Sequence, residues 1–334
     1  MSDEWRTDMT KNAFGGTEQL MSKLIEIFGH EYLEPFQIIP SRVKELKQDK
    51  IRILWAHDCG SDPMYSHLAN GGWKKFHKIV FVSYLQREEF LLRYGIPKSH
   101  TTILHNAIEP FKVDIEKKVP KKTINLVYHT TPHRGLNILI PVFEKLSEKH
   151  DNIRLDVFSS FKIYGWEERD KDYQNIFDHM NKNEKIKSHG YVPHETLRNM
   201  LPKYHIFAYP SIWQETSSLC LMEAMSAGLM CCHSSLGALP ETAANWTMMY
   251  DFHEDLHTHA NIFYNALDHC INIINTRFPV SELKSQKSYV DLFNSWTLRK
   301  MQWEDLFNNL KSNIKFEELP YKEDEVSFVY QSQK

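Results

Sequence analysis

The chain has 334 residues, 42% of them hydrophobic and 25% charged, which suits a folded protein with room for two cores. Forty Lys and Arg against 43 Asp and Glu leave a formal charge of −3, so no global basic field argues for nucleic acid. Five cysteines, an odd set without a C-x-x-C pair, exclude a disulfide framework and a zinc ribbon and suit a reducing compartment. The polar start, Met1 to Asn12, has no signal-peptide core, and the most apolar run, Ser218–Cys232, is too short to span a bilayer. A cytoplasmic protein is expected. Its eighteen histidines read as structural or surface residues, and no metal site is expected.

Along the chain, short β-branched and aromatic runs alternate with helical patterns. The first part predicts a helix at Thr17–Phe28, then strands at Phe36–Ile39, Ile51–Ala56 and Lys78–Val82. A helix at Tyr84–Tyr94 follows, with Ser83 as N-cap and Gly95 as stop, and then a strand at Thr102–Leu104. The alternation breaks at Glu109–Lys122, a charged segment with Pro110, Pro120 and five lysines, which reads as a linker. Beyond it come strands at Ile124–Tyr128, Ile153–Phe158, Ile206–Tyr209 and Leu229–His233, with helices at Leu136–Lys149 and Leu219–Ala227. After Asp255 the pattern is helical, ending in Trp296–Leu310 and a polar tail. Apolar strands alternating with helices imply two α/β lobes with parallel sheets, whose ligand sites lie at the strands' carboxyl ends. The expected division is 1–112, 113–290, and a terminal segment 291–334.

The most informative window runs from Tyr209 to Gly228. A strand ends at Pro210, a polar loop carries Glu215, Thr216 to Ser218 offer capping side chains, and an apolar helix follows. The amides at that helix start make a seat for phosphate. Glu223, flanked by Cys220, Leu221, Met222, Ala224 and Met225, is a carboxylate in an apolar helix and needs a partner. A ribose diol would be suitable. The plainer reading is a strand–loop–helix unit with two incidental carboxylates.

With Glu215 and Glu223 separated by seven residues, the chain resembles the retaining GT-B glycosyltransferases of family four over roughly Asn12 to Leu310. The resemblance implies two Rossmann-like, doubly wound lobes facing a shared cleft, with the C-terminal helix crossing back to the first lobe. It implies that Glu223 binds the ribose, that Glu215 sits beside the transferred sugar, and that the backbone of Ser218 and Leu219 contacts the diphosphate or sugar. Gly15 and Gly16 would form the family's glycine loop, where the backbone approaches phosphate closely. The family places a strand before this loop, and Met1–Lys11 has no strand pattern, so the first lobe is expected without it. His57, at a strand end, would contact the donor sugar. Arg134 fits one of two basic positions that neutralise the diphosphate, the other being Thr131 or His129. Tyr191 and Val192 would lie against the nucleotide base.

The function so implied is transfer of a sugar, with retention and without a metal or other cofactor, from a nucleotide-sugar donor, UDP- or GDP-linked. The acceptor would be a glycan, a lipid-linked glycan or a protein. Rival readings are a catalytically silent sugar-nucleotide-binding protein, a GT-B phosphorylase or epimerase, and a nucleic-acid glucosyltransferase. Trp73-Lys-Lys-Phe76-His-Lys78 mixes aromatics and bases, which reads as peripheral membrane contact or, more plainly, as a solvated helix face. The stripe Trp296, Met301, Trp303 and Leu306 reads as a packing face of the last helix.

Overall fold

A computed structural model describes residues 15–314. Met1–Lys11, read above as lacking a strand, and Asn12–Phe14 of the glycine loop lie outside the described residues. Of those described, 15–107 and 296–314 form one compact unit and 108–295 a second.

Unit 1 runs α1 (Gly16–Leu33), β1 (Phe36–Pro40), β2 (Ile51–Trp55), β3 (Lys78–Phe81), α2 (Tyr84–Tyr94) and β4 (Thr101–Ile103). The four strands pair in parallel in chain order, with Ile38 opposite Ile53 and Leu54 opposite Ile79. Every residue of β1 and β2 is buried, as a sheet covered on both faces requires. The Ser83 hydroxyl accepts the Gln86 amide at 3.1 Å to start α2, and Gly95 closes it at φ 64°.

A solvated helix face does not describe Trp73–Lys78. Phe76 and Lys75 are buried, the His77 imidazole accepts the Arg52 amide at 2.8 Å, and the Lys78 ammonium donates to the Ser99 carbonyl at 2.9 Å. The reason is position: Phe76 lies two residues before β3, where the chain turns into the core.

Unit 2 runs β5 (Ile124–Tyr128), α3 (Leu136–Lys149), β6 (Ile153–Val157), α4 (Gln174–Met180), β7 (Ile186–Ser188) and α5 (His194–Met200). It continues with β8 (Ile206–Tyr209), α6 (Leu219–Ser226), β9 (Met230–Ser234), α7 (Leu239–Ala243), β10 (Met248–Tyr250), α8 (Leu256–Thr276) and α9 (Val280–Phe293). The sheet is parallel, in the order β10-β9-β8-β5-β6-β7. From β5 the chain works outward to β6 and β7, then returns to the other side of β5 and works outward again. The order reverses between β5 and β8, which is where doubly wound sheets open a ligand crevice. The outermost strands, β7 and β10, are three residues each, too short to show a sequence period.

The segment read as a linker folds into unit 2. Phe111 donates its amide to the Ser226 hydroxyl at 2.9 Å, and a short 3-10 turn at Ile115–Lys118 buries Ile115 and Lys118.

The last helix, α10 (Trp296–Asn313), belongs to unit 1. Trp303 meets Trp55 with ring centroids 4.9 Å apart, and Phe307 meets Phe36 at 4.6 Å and Phe28 at 5.3 Å. Trp296, Trp303 and Leu306 are buried, but Met301 is 60% exposed. Two residues before Trp303, it points about 200° away around a helix of 3.6 residues per turn. No described helix is long and apolar enough to cross a membrane.

Candidate functional site

The carboxyl ends of β5, β6, β7 and β8 each release a loop whose polar side chains gather in unit 2. After β5, Thr131 and Pro132 lead into a 3-10 turn ending at Arg134, and Gly135 opens α3. Gly135 has φ 126°, and a Cβ there would stand 2.2 Å from the Pro210 carbonyl oxygen, so only glycine lets the β5 and β8 loops touch. After β8, Pro210 to Ser218 carry Glu215 to the start of α6. The Glu215 backbone is clasped by Gly237, where a Cβ would lie 2.5 Å from the Glu215 carbonyl oxygen, and by the Ala238 amide, which donates to that oxygen at 2.7 Å.

Arg134 and Glu215 therefore meet across the switch point. The guanidinium donates to Glu215 Oε1, and the buried Tyr209 hydroxyl donates to the same oxygen. Burial pulls the Arg134 pKa down, but the Glu215 charge outweighs it and holds the guanidinium well above its ordinary value. Arg134 also reaches the Tyr164 hydroxyl at 3.4 Å and lies 6.0 Å from the Trp213 ring centre.

Glu223 has a parallel arrangement one helix turn and more away. Arg198 donates to its Oε1 at 2.6 Å, and His194 Nε2 lies 2.9 Å from the same oxygen. Burial pushes the Glu223 carboxyl up, yet the His194 hydrogen bond and the charges of His194 and Arg198 prevail and hold it below its ordinary value. Arg198 is fixed in turn by the Glu109 carbonyl at 2.7 Å and by the Phe111 ring, 4.0 Å from its guanidinium carbon. In both glutamates the protein's hydrogen bonds converge on Oε1, leaving Oε2 as an acceptor.

Between these carboxylates lies the start of α6. Ser218 caps it, its hydroxyl accepting the Leu221 amide at 3.4 Å, and the first helical bond is from the Met222 amide to the Ser218 carbonyl at 3.1 Å. The Leu219 and Cys220 amides precede that bond and point out of the helix start. Burial pushes the Cys220 thiol up to about 12, so it offers no charge of its own.

Beside the Arg134 loop, His129 Nε2, Thr131 Oγ1, His133 Nδ1, Arg134 Nε and Ser159 Oγ are buried without a hydrogen-bond partner. Such groups are costly to leave unsatisfied, and five of them on two adjacent loops define a surface that a polar ligand would complete. Burial lowers the His129 pKa to about 4, and burial with the charges of Arg134 and Arg169 does the same for His133. Both rings are neutral donors or acceptors at neutral pH.

Residues 108–260, all in unit 2, match the family model described as glycosyl transferases group 1. The match lies wholly within the second unit and covers most of it. Among curated relatives, the phosphatidylinositol N-acetylglucosaminyltransferase gpi3 subunit of Schizosaccharomyces pombe is 24% identical over 220 residues, covering 64% of this chain and 46% of its own length. The chain thus spans about half of that relative. Among solved structures, a glycosyltransferase from Rickettsia africae superposes with a TM-score of 0.66 at 14% identity, over 91% of this chain and 84% of its own. The Anabaena HepE structure in complex with UDP gives 0.62 at 13% identity, over 87% of this chain and 82% of its own. The fold is GT-B, two parallel-sheet α/β units with helices returning at the C-terminus.

Within this matched unit, the structure brings Arg134, Glu215, Ser218, Leu219 and Glu223 onto neighbouring loops and one helix. Tyr191 and Val192 are half-buried on the loop after β7 that runs directly into His194, and so are tied to Glu223 through that ring. Gly15, Gly16 and His57 belong to unit 1. Gly15 is the extended N-cap of α1 and Gly16 its first residue. His57 follows β2, its amide donating to the Ser41 hydroxyl at 3.2 Å and the Tyr65 hydroxyl at 3.3 Å, and burial lowers its pKa to about 3.

Sequence reasoning treated the Arg134 charge as free for a diphosphate. In the structure Glu215 already shares it. The reasoning also missed Tyr209, His194 and Arg198. The last two carry a signal, a basic pair four residues apart on one helical face beside an apolar carboxylate. Which carboxylate they serve is not written in the spacing.

Proposed function

We propose that the chain is a retaining glycosyltransferase that moves a sugar from a nucleoside-diphosphate donor, UDP- or GDP-linked, to a hydroxyl of a glycan, a lipid-linked glycan or a protein. The observation that carries this reading is the pair of buried glutamates flanking one helix start. Each is braced by cationic or hydroxyl partners on Oε1, and a row of buried donors and acceptors without partners lies beside them. UDP is the first nucleotide to test, because UDP is named in the Anabaena structure that shares the fold.

In this reading Glu223 Oε2 accepts the ribose hydroxyls, while Arg198 and His194 hold the carboxylate still. The Leu219 and Cys220 amides and the Arg134 guanidinium face the diphosphate, and Glu215 Oε2 takes a sugar hydroxyl. Tyr191 and Val192 flank the base, and His57, Gly15 and Gly16 keep the roles toward sugar and phosphate that the family resemblance implies. The bond from the anomeric carbon to the phosphate oxygen breaks, and a bond to the acceptor oxygen forms on the same face. The acceptor proton passes to the departing phosphate. Donors already aimed at that phosphate are worth most as its charge develops. Because Arg134 is paired with Glu215 in the free protein, donor binding must redirect part of its hydrogen bonding. Glu215 is thus assigned to positioning the sugar and holding the arginine, not to a covalent bond.

The test is thermal unfolding with UDP, GDP and ADP and their sugar conjugates, with Glu223→Ala as control. At a hundredfold excess over Kd, binding should add ~2.7 kcal/mol of stability. A shift with one nucleotide, lost in the variant, supports the site. Donor binding without turnover of the sugar would favour the silent binding protein, and no shift with any nucleotide would overturn the reading.

A further inference from the structure

The amino edge of the unit 2 sheet carries a second polar feature, opposite the carboxyl edge just described. A cavity of about 530 Å³ opens there, between the segment that precedes β5 and the residues that precede β8. Lys117, Lys118, Lys121, Lys122, Lys203 and His205 line it, and no acidic residue does. In a chain with more acids than bases, Lys121, Lys122 and Lys203 border one cavity whose lining holds no carboxylate, a local concentration of positive charge.

The floor of the cavity is built, not merely decorated. Lys118 is buried, and its ammonium donates to the carbonyls of Pro202, Tyr204 and Ala227 at 2.9, 2.8 and 3.0 Å. These dipoles position the charge but do not cancel it. Burial pulls its pKa down to about 7. His205 accepts the Asn125 amide on Nδ1 at 2.9 Å and also bonds the Lys118 backbone, so it braces the segment that forms the floor. Of the acids near the rim, Glu116 pairs with Lys284 at 2.5 Å, and Asp114 lies 3.4 Å from Lys117 and offsets that one lysine.

We propose that this cavity is a binding site for a multiply charged phosphate group, distinct from the donor crevice on the other edge of the same sheet. Lys121, Lys122 and Lys203 supply the exposed cations and the donors, while Lys118 and His205, their N–H groups already engaged by the protein, form the floor. The phosphate can come from a soluble polyphosphate or from a phosphomonoester lipid headgroup, and both satisfy the same donors. The site does not depend on the glycosyltransferase reading.

The test reads the lysines directly. Amine acetylation of the full chain is followed by mass spectrometry, with UDP saturating the donor crevice and with the exposed Lys182 as internal reference. The probes are inorganic tripolyphosphate, sodium chloride at matched ionic strength, and phosphatidylcholine vesicles with and without phosphatidic acid. At fourfold excess over Kd about one fifth of sites stay open, so acetylation of Lys121, Lys122 and Lys203 should slow about fivefold relative to Lys182. Protection by tripolyphosphate supports a soluble ligand, and protection only by phosphatidic acid vesicles supports a lipid headgroup. Equal acetylation under all conditions, or equal protection by chloride, overturns the proposal. The Lys121→Gln/Lys122→Gln/Lys203→Gln variant should lose tripolyphosphate binding in calorimetry at least about tenfold, since each lost contact is to a charged group. It should keep its UDP affinity. If UDP fails to bind wild type, the function above falls while the lysine protection stands or falls separately.

Discussion

The two edges of the unit 2 sheet handle charge in opposite ways. At the carboxyl edge every strong charge has a partner of the other sign: Glu215 with Arg134, and Glu223 with Arg198 and His194. At the amino edge Lys118 is held by carbonyl dipoles, and the exposed Lys121, Lys122 and Lys203 border the same cavity, whose lining holds no carboxylate. Pairing lets groups be buried at fixed positions without prohibitive desolvation, which suits a reaction needing angstrom placement. Unpaired exposed charge makes a long-range field instead, which attracts anions but positions them less strictly.

The comparison can be broken first at its tightest point. Arg134→Ala should cut sugar-transfer turnover by roughly 10²–10³, as removal of a preorganised transition-state donor does. It should also cost roughly 3–5 kcal/mol of stability, because Glu215 is left buried without its cation. Urea unfolding and initial rates check both, and wild-type turnover in this variant would remove Arg134 from the mechanism. Glu223→Ala should weaken donor binding roughly 10–100-fold, the range for a hydrogen bond to a charged group, with Kd read by titration.

Gly237→Ala is aimed at the same loop through its backbone. With φ 65° and the Glu215 carbonyl in the way, it should destabilise the fold by about 1–3 kcal/mol and lower activity with every contact residue intact. Acid should act on the buried histidines. Burial brings the pKa of His129 and of His233 from 6.5 to about 4. Between those values the unfolded chain binds more protons, so stability is full above about 6.5 and drains as pH falls toward about 4. The loss should be on the order of 1–3 kcal/mol per histidine, measured as Tm against pH. An unchanged Tm over that window would mean these rings are charged in the fold. The smallest effect belongs to the amino edge: Lys121→Ala should leave stability within about 0.5 kcal/mol.

Much of the fold was legible because it rests on local periodicity. The strands at Phe36–Pro40 and Ile124–Tyr128 and the helices at Tyr84–Tyr94 and Leu136–Lys149 announce themselves by apolar runs and caps. The short outer strands β7 and β10 did not, since pairing with a neighbour and not their own composition makes them strands. The lysine-rich segment misread as a linker shows a further limit. Polar composition reports solvent only when no fixed carbonyls wait for the charge, and Lys118 finds three.

In the site, the sequence by itself determined that two carboxylates with seven residues between them would sit on one strand–loop–helix unit, because that spacing is local. It also placed Arg134 just before the helix at Leu136–Lys149. Only the tertiary structure decided who pairs with whom. The return of the chain to the far side of β5 brings the β8 loop against the β5 loop, and Arg134 reaches Glu215 across 81 positions of sequence. Ion pairing falls off within a few ångströms and takes no account of distance along the chain, so it is fixed only when the sheet order is.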